Sequence, residues 1–239
     1  MLKIENVETF GWRAAIRGMR NPLNSWAKSD SVESYDADGL PTYAIGENDL
    51  NLMTHLRNAG TDHRKFMRMI VVSMDITAPL YWYKELDTYK VGTVANSCST
   101  MHKIHAKEFT LEDFSHENLF GQRSDGSVTP YSPMENLINT ISLLNEWRDI
   151  YNNGGQIDNR NGTLTIMEAH DELAWWQMIQ LLPTSYNQRR TIMLNYEVLA
   201  NMYKSRKNHK LDEWHVFCDW IETLPYSDLI TGKDKSKSE

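Results

Sequence analysis

The sequence predicts a single α+β domain, and three observations carry that reading. A run of apolar, β-branched-rich residues, Met69–Ile76, has the length and composition of a buried strand. The last hundred residues repeat apolar positions at helical spacing. No internal repeat and no linker divides the 239 residues.

The elements follow in chain order. Residues 1–8, MLKIENVE, read as a strand. Residues 9–20 read as a helix capped by Thr9, with Trp12, Ile16 and Met19 on one face and Arg13, Arg17 and Arg20 on the face beside it. Asn21–Gly46 is rich in Ser, Asp, Asn, Gly and Pro and reads as a long loop, either functional or mobile, with the composition of a lid or of a plain surface loop. Residues 47–59 form a helix with Leu50, Leu52, Met53 and Leu56 as its apolar stripe. After the strand Met69–Ile76, Pro79 opens a helix over Leu80–Leu86. A turn and short helix occupy 108–120, where Thr110 and Asp113 have capping-box spacing with Asp in place of Glu or Gln. Residues 121–132 are a polar loop. Helices follow over Glu135–Tyr151 (Ile138, Ile141, Leu144 and Trp147 on one side), Glu168–Leu182 (Leu173, Trp176, Ile179), Thr184–Lys204 (Ile192, Leu199, Met202) and Leu211–Leu224 (Trp214, Phe217, Trp220, Ile221), with Asn152–Gly162 a loop. The charged tail 232–239 is expected to be disordered.

Composition narrows the function classes. Hydrophobic residues make up 41%, charged residues 24%, and the net charge is −7. Nineteen glycines and prolines against 25 aromatic residues exclude collagen-like and disordered chains. There is no apolar run of membrane-spanning length and no secretory h-region, so a cytoplasmic protein with reduced thiols and no membrane partner is expected. The acidic balance argues against nucleic-acid binding. The charge is uneven: windows 12–20, 57–68 and 189–210 carry +3, +3 and +5, leaving −18 on the rest. Such windows either focus a small anion or are solvated helix faces.

Common catalytic signatures are absent: no Gly-x-Gly-x-x-Gly, phosphate loop, His-Glu-x-x-His or Gly-x-Ser-x-Gly occurs. Cys98, among serines, reads as an inert buried thiol and Cys218 as core. His102, His105 and Glu108, and His209 with His215, have only weak metal-ligand spacing, and no metal is expected. The informative stretch is 60–107. There a buried strand is followed by a run of small polar and basic residues in which Lys90 supplies charge, Thr93, Ser97 and Ser99 supply hydroxyls, and Gly92 permits close backbone approach. Such a run is a candidate anion pocket or an ordinary polar loop.

This arrangement resembles the flavin-dependent thymidylate synthases. That family has a Gly-His-Glu-containing turn, a hydrophobic strand, an Ala-Pro step and the signature Arg-His-Arg-x-x-Ser-x-Asn-x-x-Ser-x-Arg. Gly60 and Asp62-His63 stand at the turn, Met69–Ile76 at the strand and Ala78-Pro79 at the step. Lys90 falls on the second Arg of the signature and Thr93 on its Ser; with one inserted residue, Asn96 and Ser99 fall on its Asn and second Ser. Leu182-Pro183, Asn195-Tyr196, Arg206 and Glu213-Trp214 are similar to the family's C-terminal half. Thr88 and Tyr89 replace the first Arg and the His, Met101 replaces the last Arg, and His215 or Val216 stands where an Arg follows the C-terminal Glu.

The resemblance implies an antiparallel sheet packed with helices, a helix-rich C-terminal half and one domain over 1–231. It implies a homotetramer that binds FAD and methylates dUMP to dTMP with methylenetetrahydrofolate, NADPH being a further co-substrate. The alternatives are a non-catalytic flavin- or nucleotide-binding relative, or an enzyme modifying another pyrimidine nucleotide. A structural protein without a small ligand is the reading from another class. Under the resemblance Ser99 and Tyr89 are the candidate catalytic residues. His63, Arg64, Lys90, Thr93 and Asn96 are candidates for the cofactor, and Arg189, Arg190, Arg206 and Ser97 for the nucleotide. Trp12, Trp26, Trp82 and Trp147 are candidates for interface or isoalloxazine contacts, with core packing the commoner fate of each.

Overall fold

A computed structural model describes residues 2–35, 37, 39, 41–121, 132–159 and 162–232. Most of the polar loop at 121–132 and the tail beyond Gly232 lie outside the described residues. The fold class is α+β, as the sequence predicts. The chain forms two compact units that interleave along the sequence: unit I comprises Leu2–Ile76, Glu85–Asn96 and the chain from Arg190 onward, and unit II comprises Thr77–Lys84 and Ser97–Arg189.

Unit I carries most of a four-stranded sheet. Its strands are β1 (Lys3–Phe10), β4 (Val71–Pro79), β5 (Val94–Ser97) and β8 (Asn187–Asn195), in the order β1-β4-β8-β5. Alternate residues of β4 are buried, with Val72, Met74 and Ile76 at 0–1% exposure. Helix α1 (Trp12–Arg20) buries Trp12, Ile16 and Met19 as expected. Its N-cap is Gly11, however, and Thr9 belongs to β1, its Oγ1 accepting from Trp12 Nε1. Gly11 has φ 89°, and a Cβ there would fall 1.9 Å from the Met69 carbonyl oxygen, so only glycine fits the corner.

The expected 21–46 loop is largely ordered. It contains 3-10 turns at Asn21–Leu23 and Trp26–Lys28, then an antiparallel ribbon of β2 (Val32–Tyr35) and β3 (Pro41–Ala44). Helix α2 (Glu47–Asn58) follows, and a 3-10 turn over Arg64–Met69 leads into β4.

The second correction is β8. The expected helix over Thr184–Lys204 is a strand followed by α7 (Tyr196–Arg206). Ile192 and Leu194 are buried while Thr191 and Met193 are exposed, a period of two that a central strand demands. Asn195 makes the switch, its Oδ1 accepting from Val198 N at 3.0 Å. Helices α8 (Asp212–Thr223) and α9 (Asp228–Thr231) end the unit. Trp12 packs edge-on against Tyr196 and Tyr226, with ring centroids 5.2 and 5.3 Å apart.

Unit II holds α3 (Leu80–Leu86) up to Lys84, the short α4 (Thr100–Lys103), α5 (Pro133–Asn153) and α6 (Glu172–Leu181). Its core joins Ile104, Phe109, Phe114, Leu137, Ile141, Leu144 and Met178. Asn145 of α5 pins the chain at Phe109, donating to its carbonyl and accepting from its N–H, both at 2.8 Å. The Thr110–Asp113 capping box forms. The expected loop 152–162 contains β6 (Gly155–Asp158), paired antiparallel with β7 (Leu164–Met167). On α5, Ile138 is exposed, and on α6 so are Leu173 and Trp176, although the spacing placed them on apolar faces.

Among the proposed interface tryptophans, Trp12 and Trp82 are core residues, Trp147 is half-buried, and Trp26 is 50% exposed. Among the described residues no helix is long and apolar enough to cross a membrane.

Candidate functional site

Unit I contains a cleft of about 1230 Å³ formed by the end of α1, the 21–30 segment, α2 and the 62–69 turn. One wall is fixed by Asp49, which is fully buried. Its Oδ1 accepts from Arg20 Nε at 2.6 Å; its Oδ2 accepts from the hydroxyls of Ser29 (2.7 Å) and Ser31 (2.6 Å) and from the backbone N–H groups of Asp30 and Ser31 (3.2 Å each). Burial by itself would raise the Asp49 pKa. The bonds from Ser31, Ser29 and Arg20, with the Arg20 charge, outweigh it and hold the carboxyl below its ordinary range. Asp30 in turn accepts from the N–H groups of Asn48 and Asp49 and so caps α2 from outside the helix. The wall is thus built from buried, satisfied polar groups and is rigid for that reason.

The cleft presents Lys28, His63 and Lys65 beside an apolar lining that includes Leu52, Leu56 and Phe66. Two carboxylates also line it: Asp30, whose side chain is committed to the α2 cap, and Asp62. Three groups able to carry positive charge and an apolar lining suit a ligand with phosphates at one end and a flat ring at another. His63 was marked by the sequence. Lys28 carries no such signal, since the composition of 21–46 predicts a loop, and Lys65 enters only as part of a basic window.

Arg64, the other cofactor candidate, turns away from solvent. It donates to Glu197 Oε1 at 3.2 Å and to Asn201 Oδ1, and Arg68 donates to Glu197 Oε2 at 3.0 Å. The basic windows are therefore compensated by acids from distant parts of the chain: Arg13 pairs with Glu33, Arg20 with Asp49, Arg64 and Arg68 with Glu197, Arg190 with Asp87, and Arg206 with Glu85.

The structure brings two of the signature candidates together. Arg206 Nε donates to the Tyr89 hydroxyl at 2.9 Å, and its guanidinium lies over the rings of Tyr89 (5.5 Å) and Trp214 (4.8 Å). Glu85 accepts from both Arg206 and Trp214 Nε1 and lies 3.2 Å from His209 Nε2. Lys90 and Asn96 are exposed. Thr93 is half-buried, and its Oγ1 is a buried atom with no hydrogen-bond partner. Beside it Gly92 has φ 76°, and a Cβ there would lie 2.7 Å from Asn195 Nδ2, so the turn depends on glycine.

In unit II, Ser97 and Ser99 are exposed, as is Arg189. Ser99 caps α4, accepting from His102 N at 3.1 Å. Cys98 between them is exposed, contrary to the expected buried thiol; it follows directly on β5, whose four residues are all exposed. Cys218 is buried, and that burial pushes its thiol up to about 11. His209 faces Glu85 whereas His215 faces Asp212. Among the described residues no group of three or more His, Cys, Asp or Glu is placed to hold a metal.

No protein-family model matches the chain, and no curated protein matches it. Solved structures do. The flavin-dependent thymidylate synthase ThyX from Helicobacter pylori, complexed with FAD and dUMP, matches 96% of this chain and 98% of its own at 14% identity, with a TM-score of 0.63. A second structure of that protein, also with FAD and dUMP, gives a TM-score of 0.61 at 14% identity over 97% and 98% of the two chains. The UMP/dUMP methylase PolB from Streptomyces cacaoi, bound with 5-Br UMP, matches 97% of this chain and 94% of its own at 14% identity, with a TM-score of 0.56. The chain therefore has the fold of these nucleotide methylases over almost its whole length.

Proposed function

We propose that this chain is a thymidylate-synthase-like flavoprotein that binds FAD and transfers a one-carbon unit to C5 of a uridine monophosphate. The observation that carries the reading is the fold shared over 96–98% of both chains with an enzyme that holds FAD and dUMP. The cleft in unit I supports it, since its size, its cationic groups and its apolar lining fit a dinucleotide. Lys28, His63 and Lys65 would hold the phosphates, and Leu52, Leu56 and Phe66 would cover an aromatic ring. Bound reduced flavin supplies hydride, and methylenetetrahydrofolate supplies the carbon.

The protein's part is binding and orientation, which needs no enzyme nucleophile. Arg206, fixed between Tyr89 and Trp214 with Glu85 behind it, is the pre-set cation for a nucleotide phosphate. Thr93 offers a hydroxyl that has no protein partner, and Lys90 offers an exposed charge. On sequence position alone, Arg189, Arg190 and Ser97 remain candidates for the nucleotide, Asn96 for the cofactor, and Ser99 with Tyr89 for the catalytic role. Assembly as a homotetramer and use of NADPH belong to the same proposal.

The test is flavin chemistry. Photoreduced FAD with the protein, methylenetetrahydrofolate and either dUMP or UMP is followed for reoxidation at 450 nm without oxygen, with product identified by mass. A methylated uridylate formed at the rate of flavin oxidation supports the reading. Flavin that binds yet stays reduced with both nucleotides leaves a binding protein and sinks the catalytic claim.

A further inference from the structure

In unit II, His105 just beyond α4 and His170 before α6 both pack against the ring of Tyr151, and Lys103 at the end of α4 and Arg148 on α5 lie near enough for their charges to act on His105. Tyr151 stands between the two histidines, its ring centroid 4.8 Å from His105 and 5.1 Å from His170. The backbone is drawn in to make this arrangement. His170 adopts φ 67°, a left-handed conformation strained for a non-glycine residue, and its N–H donates to the Tyr151 carbonyl at 2.6 Å. Asn152 Nδ2 donates to the His105 carbonyl at 3.2 Å and holds that segment against α5.

Two nitrogens of the cluster, His105 Nδ1 and Arg148 Nε, are buried without a hydrogen-bond partner. A buried polar group left without a partner is destabilising until one reaches it. Three of the carboxylates nearby in sequence are engaged on their own elements. Asp149 accepts from Asn153, Asp171 from Leu173 N at the start of α6, and Glu172 from Trp176 Nε1. Among the described residues none of the four cationic side chains forms an ion pair. Burial lowers the His105 pKa, and the charges of His170, Lys103 and Arg148 push it the same way. Lys103 and His170 are exposed, which leaves the cluster open on one side.

We infer that Lys103, His105, Arg148 and His170 form a binding site for a phosphate-type oxyanion, distinct from the cleft of unit I. The anion supplies the missing acceptors to the two buried nitrogens and the charge that four cationic groups lack, while Tyr151 fixes both imidazoles toward it. The inference does not rest on the flavin reading.

The test is an NMR titration of the full chain, labelled with ¹⁵N-histidine, in a buffer free of phosphate and sulfate. Inorganic phosphate is added in one arm and uridine 5′-monophosphate in another. The His105 imidazole resonances are expected to move saturably with an apparent pKa raised by about one unit. Saturation by phosphate alone identifies a free-ion site, and tighter saturation by the nucleotide identifies a phosphomonoester site. Arg148→Met is expected to weaken binding about tenfold or more, and Arg148→Lys to restore part of it. Far-UV circular dichroism checks that both variants fold. No saturable movement of His105 in either arm, as when an ordered water fills the role, overturns the inference. So does movement that survives unchanged in a folded Arg148→Met.

Discussion

Asp49 receives Arg20 at 2.6 Å, and both side chains are buried, at 0% and 4% exposure. The same carboxylate gathers Ser29 and Ser31, so one residue of α2 fastens the end of α1 and the segment that walls the cleft. A buried pair of this kind is stabilising chiefly because breaking it is expensive: the remaining charge has no water to turn to.

Asp49→Asn is therefore expected to cost about 3–5 kcal/mol, the cost of leaving a buried Arg unpaired. Urea unfolding at pH 7 measures it. The same bond makes the fold acid-sensitive. The folded-state pKa of Asp49 lies below its unfolded value. Its contribution is therefore complete above the ordinary carboxylate range of about 4 and is lost as pH falls through the depressed folded value. Parent and Asp49→Asn stability curves should converge at low pH. Curves that stay parallel below pH 4 would contradict the assignment.

The two cysteines should separate cleanly in a thiol assay. Cys98 is exposed, whereas Cys218 is buried with its thiol pushed up to about 11. With an aromatic disulfide reagent at pH 8, one thiol per native chain reacts promptly and the second only on denaturation. Cys98→Ser should abolish the fast phase. A fast phase that persists in that variant would show that Cys218 is reached in the native state.

Arg206 gives a test of the nucleotide contact. Its planar guanidinium is held by Tyr89, Trp214 and Glu85, geometry that a lysine cannot reproduce. Arg206→Lys is expected to weaken dUMP binding about tenfold or more, measured by calorimetry. Glu85→Gln, which keeps a hydrogen-bond acceptor but removes the competing charge, should bind dUMP at least as tightly as the parent. Weaker binding in Glu85→Gln and unchanged binding in Arg206→Lys would together assign this cluster to structure alone.

Much of the fold was legible wherever local chemistry and burial agree. The alternation at Val72, Met74 and Ile76, the Trp12–Ile16–Met19 face and the Thr110–Asp113 box all carry their signal in a few adjacent residues. Segment 184–204 misled because Ile192 happens to stand at helical spacing from Leu199 and Met202, while the alternating Thr191–Leu194 stretch is only four residues long. The sequence singles out His63, Tyr89 and Arg206 as candidates but does not foresee what surrounds them. Glu85 and Arg206 are 121 residues apart, and Asp49 is 20 residues from the Ser29 it binds. The basic windows were real as counts, yet distant acids neutralise much of them, which is why the cleft's own cations, Lys28 and Lys65, matter more than the sum.

The most direct measurement is an FAD titration of the purified chain, followed by flavin fluorescence and absorbance near 450 nm, alongside a Lys28→Glu/Lys65→Glu double variant whose folding is checked by circular dichroism. The account predicts saturable binding of FAD by the parent, and binding weakened about 100-fold by the two charge reversals at the cleft. A parent protein that leaves FAD fluorescence and absorbance unchanged up to saturating concentrations, or a folded double variant that binds FAD as the parent does, would contradict it.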